Sequence, residues 1–410
     1  MSDSPKINVE RLWKLLMDTA SIGGNRKGGI NRLALTDDDR RIRDWFTERC
    51  NELGCILTID QVGNMFALGA GADPLAEPIA IGSHLDTQPT GGKFDGILGV
   101  LAGLEVLRTL KEAGRSTRHP LMLVNWTNEE GARFAPPMLG SGVHAGIFDR
   151  QFADARTSAD GTRFVDALAA IGYCGTAKPG TIRFAAMFEL HIEQGPVLEA
   201  RQKTIGVVRG VQGMRWYDAT VVGQEAHSGS TPMDYRKDAL VQASHLVLKV
   251  RDLAARYPQS VATVGSLSVM PNSRNVIPGS VRLSIDLRHA SDAQLDAMEG
   301  ELTGIVSEMS ADGKANLVPV WKNPAIDFDA KCVEAVRRGA ETAGYSMLDI
   351  YSGAGHDAAN VARVAPTAMI FVPCLNGLSH NEAESATKED CAAGAQTLLN
   401  AVIEYDAMLA

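Results

Sequence analysis

The chain has no excess of positive charge. Its 40 Lys and Arg stand against 49 Asp and Glu, leaving a net charge of −9. That balance argues against a nucleic acid or an anionic membrane as partner, because both demand basic surface. It leaves room for a small anionic substrate, which needs only one local positive group. No apolar run approaches the ~18 residues needed to cross a bilayer. The opening segment, MSDSPKINVERLW, is polar and has no apolar signal core, so the expected location is the cytoplasm. CxxC pairs are absent too. The cysteines at 50, 55, 174, 332, 374 and 391 follow no regular spacing, and buried reduced thiols are expected rather than a disulfide framework. Repeats and low-complexity segments are also missing.

What remains is an ordinary globular chain. Hydrophobic residues at 45% and charged residues at 22% exclude wholesale disorder. At roughly 100–200 residues per domain, the length suggests two domains. The first half alternates helical and strand patterns. Ile42, Trp45, Phe46, Cys50 and Leu53 recur at helical spacing after the acidic start Asp37-Asp38-Asp39. Short apolar runs at 56–59, 65–68 and 79–81 read as strands, Val100, Leu104, Leu107 and Leu110 as a helix, and 121–124 as a strand. Such alternation predicts an α/β layer with a largely parallel sheet, whose chemistry gathers beyond the carboxyl ends of the strands.

From about Gly210 the pattern changes. A strand (215–222), a long helix (238–256), two strands (262–269 and 280–289), a helix (292–309) and a strand (315–321) spell β-α-β-β-α-β, the split βαβ unit. After Pro324 the α/β pattern resumes with a helix (333–343), a strand (368–372) and a closing helix (392–408). The expected architecture is a three-layer α/β domain with a mostly parallel sheet (1–210 and 325–410), interrupted by a ferredoxin-like α+β domain (211–324).

Five of nine histidines lie beside carboxylates or small polar residues at predicted strand ends. The run Ile79–Asp86 carries a strand into His84-x-Asp86. Side chains two apart on extended backbone share a face, so Asp86 can hold one imidazole nitrogen of His84 while the other binds a metal. A purely structural hydrogen bond reads the same way. The following loop, TQPTGGKFD, ends in Asp95 ahead of a helix, and the strand 121–126 runs into Thr127-Asn128-Glu129-Glu130. Neighbouring side chains on extended backbone diverge, so two adjacent glutamates can divide roles, one ligating a metal and the other facing water. His191 sits in another apolar strand and His380 follows a third.

With these residues assembled, the chain resembles the dinuclear-metal aminoacylase/carboxypeptidase superfamily, specifically its hydantoinase–carbamoylase amidase branch. That branch contains N-carbamoyl-L-amino acid hydrolases, β-ureidopropionases and allantoate amidohydrolases. The matching segments are GSHLDTQPTGGKFDG (82–96), NEEGARF (128–134), ELHIEQGP (189–196), AHSGSTPMDYRKDA (226–239), SRNVIPG (273–279), SGAGHDA (352–358) and SHNEAE (379–384). The resemblance implies two divalent metal ions per subunit, one held by His84 and His191, the other by Glu130 and His380, with Asp95 bridging. It implies Glu129 as general base, Asp86 as the group that orients His84, and His227 as stabiliser of the developing oxyanion. Asn275 and Arg288 fall where relatives bind the substrate carboxylate, and Gln194 and Gly355 where they line the pocket. Read alone, Arg288 would simply pair with Asp286 on the polar face of its strand. His356 and Asp357 are expected to support the ligands rather than join them.

Where many peptidase relatives place a carboxylate, this chain has His191. Two divalent cations against only two carboxylates leave a more positive centre, which favours polarising a weakly electrophilic ureido carbonyl. The reaction implied is hydrolysis of the ureido C–N bond of N-carbamoyl-L-amino acids, with overlap onto N-carbamoyl-β-alanine. Allantoate is the main alternative; a dipeptidase, an aminoacylase or an inactive metal-binding scaffold ranks lower. Zinc, manganese and cobalt all suit these ligands. A homodimer joined through the inserted domain, which also acts as a lid, is expected by resemblance.

Overall fold

The structure, a computed structural model, describes residues 5–310 and 315–409. Residues 1–4, 311–314 and 410, which the expected domain ranges include, lie outside the described residues. The chain separates into two compact units. One runs to Gly210 and resumes at Asp327; the other is Val211–Ile326.

The first unit is built on a nine-stranded sheet. At its centre stand four strands, in the order Leu121–Trp126, Ile79–His84, Ala186–Ile192 and Thr367–Val372. Neighbours among these four run parallel. Every residue in them is buried, as expected for strands covered on both faces. Helices Ile97–Glu112 and Lys388–Met408 cover one face, and the shorter Leu139–His144 and Asp357–Val361 lie on the other. Met65–Leu68 runs antiparallel to Leu121–Trp126, and Ile205–Val211 antiparallel to Thr367–Val372. The latter strand has no partner signal in its own sequence and was not expected. Ile205–Val211 and Ile326–Asp327, which flank the insertion, are hydrogen-bonded neighbours in the sheet.

Local chemistry explains the element ends. Asp37–Leu53 starts where Thr36 Oγ1 accepts the Asp39 N–H and stops at Gly54, whose φ of 81° suits a residue without a Cβ. Ile97–Glu112 lies tight on the sheet because Gly99 offers no side chain; a Cβ there would stand 2.4 Å from the Leu190 carbonyl oxygen.

In the second unit, strands Ala315–Asn323, Gly213–Val222, Ser280–His289 and Val261–Met270 lie in that order, antiparallel throughout. Val281, Leu283, Ile285 and Leu287 alternate onto one face and meet Leu246, Val250, Leu295, Met298 and Leu302 of the two helices. The sheet order is that of a ferredoxin-like unit. No helix among the described residues is long and apolar enough to cross a membrane.

His144 tests the packing of the first unit. It is buried against Phe66, Trp126 and Phe184, and its Nδ1 has no hydrogen-bond partner. Burial pushes its pKa down to about 4. The unfolded chain therefore binds a proton near pH 6.5 that the folded chain refuses, so stability falls as pH drops from about 6.5 towards 4 and is unaffected above that window. The full loss is about 3 kcal/mol. His144→Leu removes this component: urea unfolding at pH 7 and pH 5 should show a smaller loss than in the wild type. An equal loss would contradict this reading.

Candidate metal centre

The carboxyl ends of the four parallel strands meet at one edge of the sheet. The register Ala80↔Met187 and Ile81↔Phe188, carried forward, sets His84 beside His191 on the same face. Their ring centroids are 6.0 Å apart. Each imidazole is fixed from behind by a backbone carbonyl: His84 Nδ1 lies 2.9 Å from the Asp86 oxygen, His191 Nδ1 2.9 Å from the Ile192 oxygen. Both Nε2 atoms are thereby left as the lone-pair nitrogens. They face the same atom, Asp95 Oδ1, at 3.4 Å from His84 and 3.1 Å from His191. The Gly96 N–H also lies 3.1 Å from His191 Nε2.

The other oxygen of Asp95 looks the opposite way. Oδ2 is 3.6 Å from His380 Nε2, which is 3.3 Å from Glu130 Oε2. Two donor groups result, His84–Asp95–His191 and Asp95–Glu130–His380, each with its ligand atoms within 4.8 Å of one another. Asp95 belongs to both. The first group is buried throughout, whereas the His380 side chain is half exposed, so the second group opens to solvent.

Glu129 reaches the same nitrogen of His84, its Oε2 3.5 Å from Nε2. Burial, then repulsion from Asp357, Glu130 and Asp86, pushes its carboxyl well above the ordinary glutamate range, against the pull of His84. Glu130 shifts the same way, from burial and from Asp95. Asp95 is held low despite its burial, because His191 and His84 face it. Imidazole nitrogens set 3.1–3.6 Å from carboxylate oxygens need a positive charge between them: against their burial, the facing carboxylates draw a proton onto His84 and His191, and a cation would take that proton's place. Imidazole and carboxylate donors are what divalent zinc, manganese or cobalt accept, so the residues present fit such ions.

Asp86 differs from its expected role. Its carboxylate stays 3.9 Å from His84 Nδ1, and the backbone carbonyl makes that contact instead. The carboxylate accepts the backbone N–H groups of Glu129 and Glu130, both at 3.2 Å. A strand turning just after its histidine brings the carbonyl closer than the side chain. The Asp86 carboxylate thus holds the two glutamates while its carbonyl holds the imidazole.

Gln194 lies within the ligand cluster, its Nε2 2.7 Å from Asp95 Oδ2 and 3.4 Å from His380 Nε2. Gly355 faces Met138, whose Cε would be 2.9 Å from a Cβ added there. The His356 ring packs edge-on against His191 at 4.5 Å and pairs with Ser352 Oγ; it belongs to neither donor group. Asp357 accepts from Ser141 Oγ. His227, Asn275 and Arg288 belong to the Val211–Ile326 unit. There Val276 pairs with His227, which makes Asn275 a near neighbour of the histidine turn. His227 Nδ1 accepts the N–H groups of Gly229 and Ser230 at 3.0 and 3.2 Å, leaving Nε2–H as donor. Arg288 is paired with Asp286 at 2.8 Å.

Sequence reasoning passed over three supports. Gln88 donates its backbone N–H to Glu130 Oε1 (3.0 Å) and its amide to Oε2 (2.8 Å). Glu189, fully buried, accepts from Ser83 Oγ and the Ala358 N–H at 2.6 and 2.9 Å. Glu384 is buried against the Asp95 loop. Each lies in or beside a segment already singled out, but no pattern in the sequence tells a buried carboxylate from a solvated one.

Gly96 closes this geometry. With φ 69° and ψ −57°, it is the middle of a γ-turn in which the Ile97 N–H reaches the Asp95 carbonyl at 2.7 Å. A Cβ would stand 2.3 Å from His84 Cε1. Gly96→Ala should lower affinity for Mn²⁺ or Zn²⁺ by about tenfold or more in equilibrium dialysis; wild-type affinity in a folded variant would refute the constraint.

Residues 80–404 match Peptidase family M20/M25/M40. The chain is 47% identical over 407 residues to the N-carbamoyl-L-amino-acid amidohydrolase of Rhizobium meliloti, covering 98% of this chain and 97% of the relative. The allantoate amidohydrolase of Escherichia coli (strain K12) is 33% identical, with 92% and 93% covered. Among solved structures, a hydantoinase/carbamoylase family amidase from Burkholderia multivorans superposes with a TM-score of 0.95 at 50% identity, covering 98% of each chain.

Proposed function

The chain belongs to peptidase family M20/M25/M40 and to its hydantoinase/carbamoylase amidases, and from that premise we propose that it hydrolyses the ureido C–N bond of N-carbamoyl-L-amino acids. The products are the amino acid, carbon dioxide and ammonia. The observation that carries the reading is the pair of donor groups sharing Asp95, with Glu129 beside His84. Identity favours this substrate class over allantoate, at 47% against 33%.

His84, His191, Asp95, Glu130 and His380 would hold two divalent cations, which would supply polarisation of the ureido carbonyl and make a water molecule easier to deprotonate. Glu129 takes a proton from the attacking water and returns it to the leaving nitrogen. His227 donates Nε2–H to the oxygen that gains charge as the carbonyl becomes tetrahedral. Arg288 and Asn275 anchor the substrate carboxylate and so fix which carbonyl is attacked. For Arg288 this requires exchanging Asp286 for the substrate. The C–N bond then breaks, ammonia leaves, and the remaining carbamate loses carbon dioxide. Gln194 and Gly355 line the substrate pocket, and the centre works in the cytoplasm.

Glu129→Gln should retain bound metal yet lower kcat by about a hundredfold to ten-thousandfold. Metal content and ammonia release, measured on N-carbamoyl-L-amino acids, N-carbamoyl-β-alanine and allantoate side by side, check both base and substrate. Near-normal turnover in the variant removes Glu129 as base, and a wild type faster on allantoate reverses the substrate ranking.

A homodimer through the inserted unit is part of the same proposal. Val261–Met270 is an edge strand of its sheet, and Val261, Leu267 and Met270 on it are exposed. An open apolar edge invites pairing with a second copy. Sedimentation velocity should show a dimer that Leu267→Lys weakens. A dimer unaffected by the change would place the contact elsewhere.

A further inference from the structure

Asp95 serves both donor groups only if its carboxylate keeps one rotation, Oδ1 towards His84 and His191 and Oδ2 towards His380. Free to turn, it would present one oxygen to both groups or point neither oxygen squarely at its own. Its own turn, closed by Gly96, fixes the backbone on one side only.

Glu384 supplies the other side. It is buried, and its Oε1 accepts the N–H groups of Phe94 and Asp95 at 3.0 and 3.1 Å. Its Oε2 is 3.1 Å from Ser379 Oγ, and that hydroxyl is also 2.8 Å from Asp95 Oδ2. One carboxylate therefore grips the backbone of Asp95 and sits against the hydroxyl which, together with the Gln194 amide at 2.7 Å, meets the Asp95 oxygen that faces His380. Gly92 leaves the space for it: a Cβ there would lie 2.1 Å from Glu384 Oε1. The segment Ser379–Glu384 carries His380 as well, so one short stretch of chain holds a proposed ligand and the clasp on the shared carboxylate.

We infer that Glu384 is a positioning residue that sets the rotation of Asp95 and thereby allows one carboxylate to be shared by two cations. The inference rests on the proposed metal centre and adds to it a residue that touches neither cation. A glutamate that merely stapled the loop would affect melting temperature and leave the pairing of the ions alone.

The test loads the full-length protein with Mn²⁺ and follows two readouts, the affinity for each ion in equilibrium dialysis and the spin-coupled electron paramagnetic resonance signal of a bridged pair. Glu384→Ala should weaken the second Mn²⁺ by about tenfold or more and abolish the coupled signal. Glu384→Gln, which keeps an acceptor for the backbone and donates to Ser379, should restore both to within about threefold of the wild type. If the alanine variant fails to fold, Glu384→Asp, one methylene short of its partners, should still weaken the second ion and the coupling. Unchanged affinity and coupling in whichever of the alanine and aspartate variants folds would overturn the inference. A wild type that binds a coupled pair but releases no ammonia from ureido substrates would sink the proposed reaction and leave this test standing.

Discussion

One buried carboxylate governs the arrangement. Asp95 is faced by the imidazoles of His84 and His191 on one oxygen and of His380 on the other, and no other residue belongs to both donor groups. Burying several carboxylates together is costly unless positive charge is brought in with them. Among the described residues, the partners of Asp95 and Glu130 within ion-pair distance are imidazoles, whose positive charge depends on a bound proton.

The sheet makes the convergence affordable in conformational terms. Parallel strands all finish at one edge, so the segments after Trp126, His84 and Val372 come together although they are distant in sequence. His84 and His191 need no loop to meet, because in-register pairing sets them side by side. Much of the remaining positioning is done by backbone groups: carbonyls of Asp86 and Ile192 hold the imidazoles, and N–H groups of Glu129 and Glu130 are held by Asp86. Backbone partners are stiffer than long side chains, and donor groups fixed this way have less freedom left to lose.

Much of this was legible in the sequence. Periodicity located the helix Asp37–Leu53, the strands Ile56–Ile59 and Met65–Leu68, and the alternation of the inserted unit within a few residues of their observed ends. Apolar strands ending in histidine or paired glutamate pointed to the sheet edge where His84, Asp95, Glu130, His191 and His380 gather. The marginal strand Ile205–Val211 escaped notice because antiparallel pairing at a sheet margin leaves little trace in one strand's own residues. At Asp86 spacing gives the face the side chain takes, not that the carbonyl of the same residue reaches the imidazole first. Glu189 and Glu384 have the residue type of a surface carboxylate, and only tertiary packing makes them interior groups.

The chain leaves the ligand-bearing sheet through Ile205–Val211 and comes back through Ile326–Asp327, two strands that lie next to each other. A detour that departs and returns at adjoining positions spans a gap no wider than a hairpin turn, whatever the length of chain within it. The inserted fold is in this sense a graft at a single hairpin, able to lengthen, shrink or be exchanged over evolutionary time without reordering the strands on which the acid and imidazole groups are mounted.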